Sequence, residues 1–289
     1  MAAILCPSCH KLINVDEARC PFCGQTKPGL WGFTSLARRL GVQLDFSRLI
    51  IGVCAVLYVL MLLIDPGAIF QMRGIFNILA PSGEAGYLFG STGLIPVIRD
   101  GRWWTLFTAV YLHGSLLHIF FNMMWVRQLG PLVEELFGPM RLFVIFTVAG
   151  VLGFLFSVGS GLLALTGGDS MLVRLIVQVF GGAGFTLGAS GGVFGLMGAA
   201  IAYGRRTGST LFTRQFVQWA LMLFVFGLFF SGVDNAAHLG GFIGGYGTAY
   251  LFAQSGGREG LWTWVGTAAC LVLTVFAFGR QLLAVVLGV

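Results

Sequence analysis

Seven apolar runs govern what this chain can become. They lie at about 48–64, 106–126, 142–165, 189–204, 216–232, 235–253 and 261–279, each near the roughly 20 residues that carry a helix across a bilayer. Hydrocarbon offers no water to backbone amides, so a spanning segment must pair its own, and a helix does. The composition agrees with this reading. Of 289 residues 57% are hydrophobic and 10% charged, with mean hydropathy +0.88, whereas a soluble domain carries roughly 25% charged residues. The expected class is an all-α polytopic membrane protein. A water-soluble enzyme is excluded, and no pattern of arginines among aromatics argues for nucleic acid.

Lysine and arginine set the expected orientation. With residues 1–47 inside and seven spans alternating, twelve of the 17 basic residues fall on the inner side, Arg127, Arg141, Arg205, Arg206 and Arg214 among them. Arg73, Arg99, Arg102, Arg174 and Arg280 fall outside. That bias matches the positive-inside rule, so the net charge of +6 reads as a topology signal. The first residues are polar and cysteine-containing instead of charged then apolar, so the first span is expected to serve as insertion signal and anchor together.

Three parts are expected: a cysteine head at 1–28, a basic juxtamembrane linker at 29–46, and a membrane domain at 47–289. Between the first two spans lie about forty residues, apolar but broken by Gly, Pro and charge. They read either as a structured segment in the outer interface, with Trp103 and Trp104 at headgroup level, or as an ordinary ordered loop.

The head carries "CPSC" and "CPFC", that is, Cys6, Cys9, Cys20 and Cys23 at C-x2-C-x10-C-x2-C spacing. Two such knuckles fit a tetrahedral site of four thiolates, for which zinc is the expected ion. Four thiolates leave no open position, so the role is structural. A reducing inner location keeps the thiols available.

Polar side chains inside spans are costly and point to function by default. Here they are His113, His118 and Asn122 in "YLHGSLLHIFFNMMW", Ser190 in "GFTLGASGGVFGLMGA", and His238 in "VDNAAHLGGFIGG". Spans two, four and six run in the same direction, and His118, Ser190 and His238 lie near their starts. Equal depth follows from topology alone. A serine hydroxyl is a poor nucleophile until a base takes its proton, and His238 is placed to be that base. Gly191 and Gly195 on one helix, with Gly240, Gly241, Gly244 and Gly245 on the other, have the small-xxx-small spacing of close helix approach. Free N–H groups at the start of the Ser190 helix would receive an oxyanion, with His118 and Asn122 as further donors. The bland reading of each piece is packing, but the pieces occur together.

"GASGGVFGLMGA", "AHLGGFIGG" and "HGSLLHIFFN" resemble the three motifs of the rhomboid intramembrane serine proteases, in family order. The resemblance covers about residues 48–253 and implies a six-helix core, to which the seventh span at 261–279 would be a C-terminal addition. It implies that transmembrane protein substrates are cleaved within the bilayer by a serine–histidine dyad. Ser190 would be the nucleophile and His238 the general base. His118, Asn122 and the Ser190 N–H would form the oxyanion site, while Phe194 would support the imidazole and Gly188 open the loop. Arg102-Trp103-Trp104 departs from the Trp-Arg order usual in the family's first outer loop. Asp234, four residues before His238, reads as a helix N-cap and not as a third catalytic residue. The expected location is a plasma membrane with the N-terminus in the cytoplasm. The competing reading is a catalytically inactive relative that binds transmembrane helices.

Overall fold

The structure, a computed structural model, describes residues 3–6, 9, 11–14, 17–25, 45–70, 74, 77–167, 170–180, 182–230, 232–254 and 260–287. The expected linker at 29–46 lies outside the described residues except for Asp45 and Phe46. At the N-terminus β1 (Ala3–Leu5) pairs antiparallel with β2 (Leu12–Asn14), Ile4 opposite Ile13.

Asp45 opens α1 (Phe46–Ile64), its carboxylate accepting from the Arg48 N–H at 2.9 Å. After a 3-10 turn at Pro66–Phe70, the connecting segment forms the short helix α2 (Gly83–Phe89). Ser82 caps its start and Gly90, at φ +95°, closes it in the left-handed conformation that suits glycine. A π-helical turn at Ile95–Arg99 and a helical turn at Thr105–Thr108 follow. The forty-residue connection is thus built of short ordered pieces. Trp103 is half exposed, but Trp104 turns inward and is buried.

The second span differs from expectation. In place of a helix over 106–126, turns through Tyr111 meet α3 (Leu116–Phe137) at 88°. Leu112 and Ser115 are extended, and the Ser115 hydroxyl accepts from the His118 N–H at 3.3 Å, which starts a new helix there. An apolar scan cannot see a cap buried inside an apolar run. Gly138 at φ +98° and Pro139 then turn the chain into α4 (Pro139–Thr166).

A ten-residue helix, α5 (Met171–Phe180), follows; it is too short to register as a span. The remaining long helices are α6 (Ser190–Thr207), α7 (Thr210–Leu228), α8 (Asn235–Gln254) and α9 (Leu261–Leu287). The last continues beyond the predicted 279 through Arg280 and Gln281, whose side chains find partners within the protein.

Seven helices of 18 residues or more are therefore described, in the expected order. Four of them, α1, α4, α7 and α9, are long and apolar enough to cross a membrane by length and hydropathy, and α3 with its bent prelude makes a fifth. The glycine-rich α6 and α8 fall below that measure because their neighbours are other helices instead of lipid. They pack most closely on each other and on α4. A Cβ on Gly245 would lie 2.1 Å from the Gly195 carbonyl oxygen, and one on Gly241 2.2 Å from that of Gly191. Backbone meets backbone along this seam. Around it Phe146, Leu142, Ile145, Leu196, Met197 and Ile201 are wholly or almost wholly buried.

Candidate active site and metal centre

The segment leading into α6 is held from outside itself. Thr92 and Thr186 exchange both backbone hydrogen bonds, at 2.9 and 2.6 Å, while the Leu94 and Ile95 N–H groups donate to Ala183 and Gly184 carbonyls. The Gly188 N–H donates to the Ala109 carbonyl at 2.9 Å. Gly188 itself stands at φ +139°, a conformation closed to most side chains. Ser190 then begins α6. Ala189, at the cap position, makes no side-chain cap bond, so the first N–H groups of the helix lack the usual side-chain acceptor.

His118 lies in the first turn of α3. Its Nδ1 accepts from the Gly114 N–H at 3.3 Å, which puts the proton of the neutral ring on Nε2. A Cβ on Gly188 would sit 2.7 Å from His118 Nε2 and 3.9 Å from Ser190 Oγ. The histidine and the hydroxyl flank one small space that only a glycine leaves open. Asn122 is buried one turn further along, and its Nδ2 donates to the His118 carbonyl at 3.0 Å. That bond uses one amide proton and leaves the other. His113 is fully buried, edge-on to His118 with ring centroids 5.1 Å apart.

His238 occupies the first turn of α8. Phe194, four residues after Ser190 on the same face of α6, stacks on its ring at 4.3 Å and 16°. The imidazole therefore faces the Ser190 stripe of α6. No hydrogen bond joins the Ser190 and His238 side chains among the described residues, and such contacts are often long before substrate binds. Asp234 is engaged elsewhere: it accepts from the Ala237 N–H at 3.0 Å and from the Ser157 hydroxyl at 2.5 Å. Its backbone carbonyl takes the His238 N–H, the arrangement of an N-cap, and His238 Nδ1 is left without a partner. Arg102 is buried with its guanidinium 4.1 Å from the Tyr87 ring centroid. An apolar crevice of about 370 Å3 opens between α4, α5 and α8, against Phe156, Phe180 and Leu239. It has no titratable lining and so offers shape without chemistry.

In the N-terminal hairpin the four Sγ atoms of Cys6, Cys9, Cys20 and Cys23 all lie within 4.8 Å of one another. Cys6 to Cys23 and Cys9 to Cys20 are both 3.7 Å. Tetrahedral thiolates at the Zn–S distance of about 2.3 Å stand about 3.8 Å apart, so the cluster fits a metal such as zinc. The Cys6 N–H bonds to the Lys11 carbonyl and the Gly24 N–H to the Cys20 carbonyl, folding each knuckle back on itself.

A bundle of membrane helices with a serine and two histidines at adjoining helix starts defines a polytopic protein with a polar site inside its transmembrane domain. A family model described as Rhomboid domain matches residues 100–255, more than half the chain, and the chain belongs to the rhomboid family. It is 28% identical to RHOMBOID-like protein 1 of Arabidopsis thaliana over 180 residues, 61% of this chain and 41% of that protein. It is 28% identical to Rhomboid protease GluP of Bacillus subtilis over 195 residues, 66% of this chain and 31% of that protein. Inactive RHOMBOID-like protein 8 of Arabidopsis is also 28% identical, over 60% of this chain and 45% of its own length. The chain thus spans less than half the length of each of these relatives.

Proposed function

We propose that the chain is an intramembrane serine endopeptidase that cleaves transmembrane segments of membrane proteins. The observation that carries this reading is the convergence of His118 Nε2 and Ser190 Oγ on Gly188, with Phe194 holding the His238 ring flat against the same helix face. Ser190 Oγ attacks the scissile carbonyl carbon and passes its proton to His238. The oxyanion takes hydrogen bonds from the Ser190 N–H, His118 Nε2 and the remaining Asn122 proton. As the C–N bond breaks, His238 returns the proton to the leaving amine. Water then hydrolyses the acyl-enzyme with His238 again as base.

A donor aimed at the oxyanion matters only once charge develops. His118→Ala is accordingly expected to lower kcat by about 10²–10³-fold with little change in KM, measured on a transmembrane substrate in liposomes. An unchanged kcat would remove His118 from the mechanism. No cleavage of any transmembrane substrate by folded protein would favour the helix-binding reading.

Residues 1–28 are assigned to a ribbon, 29–46 to a linker and 47–289 to the membrane domain. Zinc is the ion assigned to the four cysteines, with a structural role and no part in catalysis. Elemental analysis is expected to give one zinc per chain, lost in Cys20→Ser. The distribution of basic residues supports an orientation with the N-terminus in the cytoplasm, and a plasma membrane is the location assigned to the protein.

A further inference from the structure

The seventh long helix does more than anchor the chain in lipid. Gln281 lies within α9 and is 3% exposed, where an amide is costly unless all its polar atoms are bonded. Every bond it makes goes to the connection between α1 and α3. Its Oε1 accepts from Trp104 Nε1 at 3.1 Å, and its Nε2 donates to the Tyr87 and Leu88 carbonyls at 3.0 and 2.7 Å. Those two carbonyls belong to the last turn of α2: the Tyr87 carbonyl also takes the Gly90 N–H at 3.1 Å, while the Leu88 carbonyl has no helical N–H left to bond it.

From there the path to Ser190 is short and made of backbone. Gly90 turns the chain so tightly that a Cβ would lie 2.4 Å from Thr108 Oγ1 and 3.1 Å from Gln281 Cδ. The Thr108 hydroxyl donates to the Gly90 carbonyl at 2.7 Å. Two residues later Thr92 pairs with Thr186, and Thr105 Oγ1 meets Thr92 Oγ1 at 3.0 Å. Thr186 precedes Ser190 by four residues. Arg280, beside Gln281, stacks on the Trp104 ring at 4.7 Å, and Phe276 stacks on Trp103. The other end of α9 is joined to α4 by Arg141–Thr263 and Thr267–Met140 hydrogen bonds, remote from this path in sequence and helix position.

We propose that Gln281 is a positioning residue for Ser190, fixing the Gly90–Thr92 turn and, through the Thr92–Thr186 pair, the loop that presents the hydroxyl. This rests on the reading of Ser190 as the nucleophile. Removing Gln281 strands the Leu88 carbonyl and the Trp104 indole N–H and leaves the Tyr87 carbonyl with the Gly90 N–H alone, so the Thr92–Thr186 pair gains freedom. Displacement of a reacting group by about 1 Å is enough to cost on the order of 10²-fold in rate.

The test uses the full chain in detergent, with Gln281→Met beside Thr263→Val. Amide hydrogen exchange is followed at 91–95 and 183–188, and the rate of reaction with a fluorophosphonate probe is measured per folded molecule. In Gln281→Met both segments are expected to exchange about tenfold faster and labelling to slow about tenfold; Thr263→Val, at the far end of α9, moves neither. A lower melting temperature with unchanged exchange and unchanged labelling rate overturns the proposal, since that is the outcome of simple helix packing. If Gln281→Met fails to fold, Trp104→Phe, which deletes one of the three bonds, is read the same way. Its effect is expected in the same direction and smaller, and no change in either readout overturns the proposal. A wild-type protein that does not label defeats the nucleophile reading instead, and the exchange arm alone then decides whether Gln281 holds the loop.

Discussion

Valine in place of Gly245 is expected to leave no folded, detergent-stable protein. The added side chain would begin 2.1 Å from the Gly195 carbonyl oxygen and 2.2 Å from the Gly195 Cα. Neither is the end of a side chain that can swing away. The two helices would have to part by more than an ångström along their whole seam. Overpacking a core costs about 1–3 kcal/mol where side chains can give, and here the obstacle is backbone. Gly247, two residues on, has nothing within 4 Å of its would-be Cβ. Gly247→Ala is expected to be tolerated or to gain about 0.5–1 kcal/mol from helix propensity. Thermal unfolding monitored by size-exclusion fluorescence separates the two. Equal stability of Gly245→Val and wild type would mean that α6 and α8 do not meet as described.

The second large effect is catalytic. Ser190→Ala and His238→Ala are each expected to reduce cleavage of a transmembrane substrate by about 10⁴-fold or more, with the double variant scarcely worse than either. A nucleophile and its base act as one unit: without the base the hydroxyl stays protonated, and without the hydroxyl the base has nothing to activate. Ser190→Ala is expected to melt close to wild type, because Ser190 is only partly buried, whereas His238→Ala, which empties the buried space against Phe194, is expected to melt lower while still folding. Additive losses in the double variant would show two independent contributions and contradict a dyad. Asp234→Asn offers a contrast. Its carboxylate is spent on Ala237 and Ser157, so its substitution acts on the start of α8 and not on the imidazole.

Much of this was legible in the sequence because the bilayer enforces it. Runs near twenty apolar residues gave the helices, and the expected neighbourhood of His118, Ser190 and His238 matches their places at three adjoining helix starts. Glycines at four-residue spacing gave the α6–α8 seam. The cysteine spacing likewise gave a cluster whose sulfurs stand where a tetrahedral ion needs them.

What stayed hidden was held by contacts between distant residues. The start of α3 was misplaced by ten residues because Leu106–Leu112 is as apolar as a span, and only Ser115 marks the cap. The helix α5 was missed because ten residues cannot cross a membrane. The Thr92–Thr186 pair joins two segments over ninety residues apart, with no periodicity in either to announce it. Gln281 did leave a signal, an amide beside an arginine at the end of an apolar run. Hydropathy reads such a pair as the end of a helix, when in the folded chain α9 continues through it. Asn122 was legible as a member of the site, whereas its bond to the His118 carbonyl was not.

The proposed chemistry turns on a Ser190 hydroxyl activated by His238. Its most direct test is covalent labelling of the purified protein in detergent by a fluorophosphonate, which reacts with activated serines and needs no knowledge of substrate. Wild type is expected to label at Ser190, and both Ser190→Ala and His238→Ala, folded as judged by their melting, are expected not to. A folded wild-type protein that stays unlabelled while another rhomboid protease labels beside it, or a His238→Ala variant that labels as fast as wild type, would contradict it.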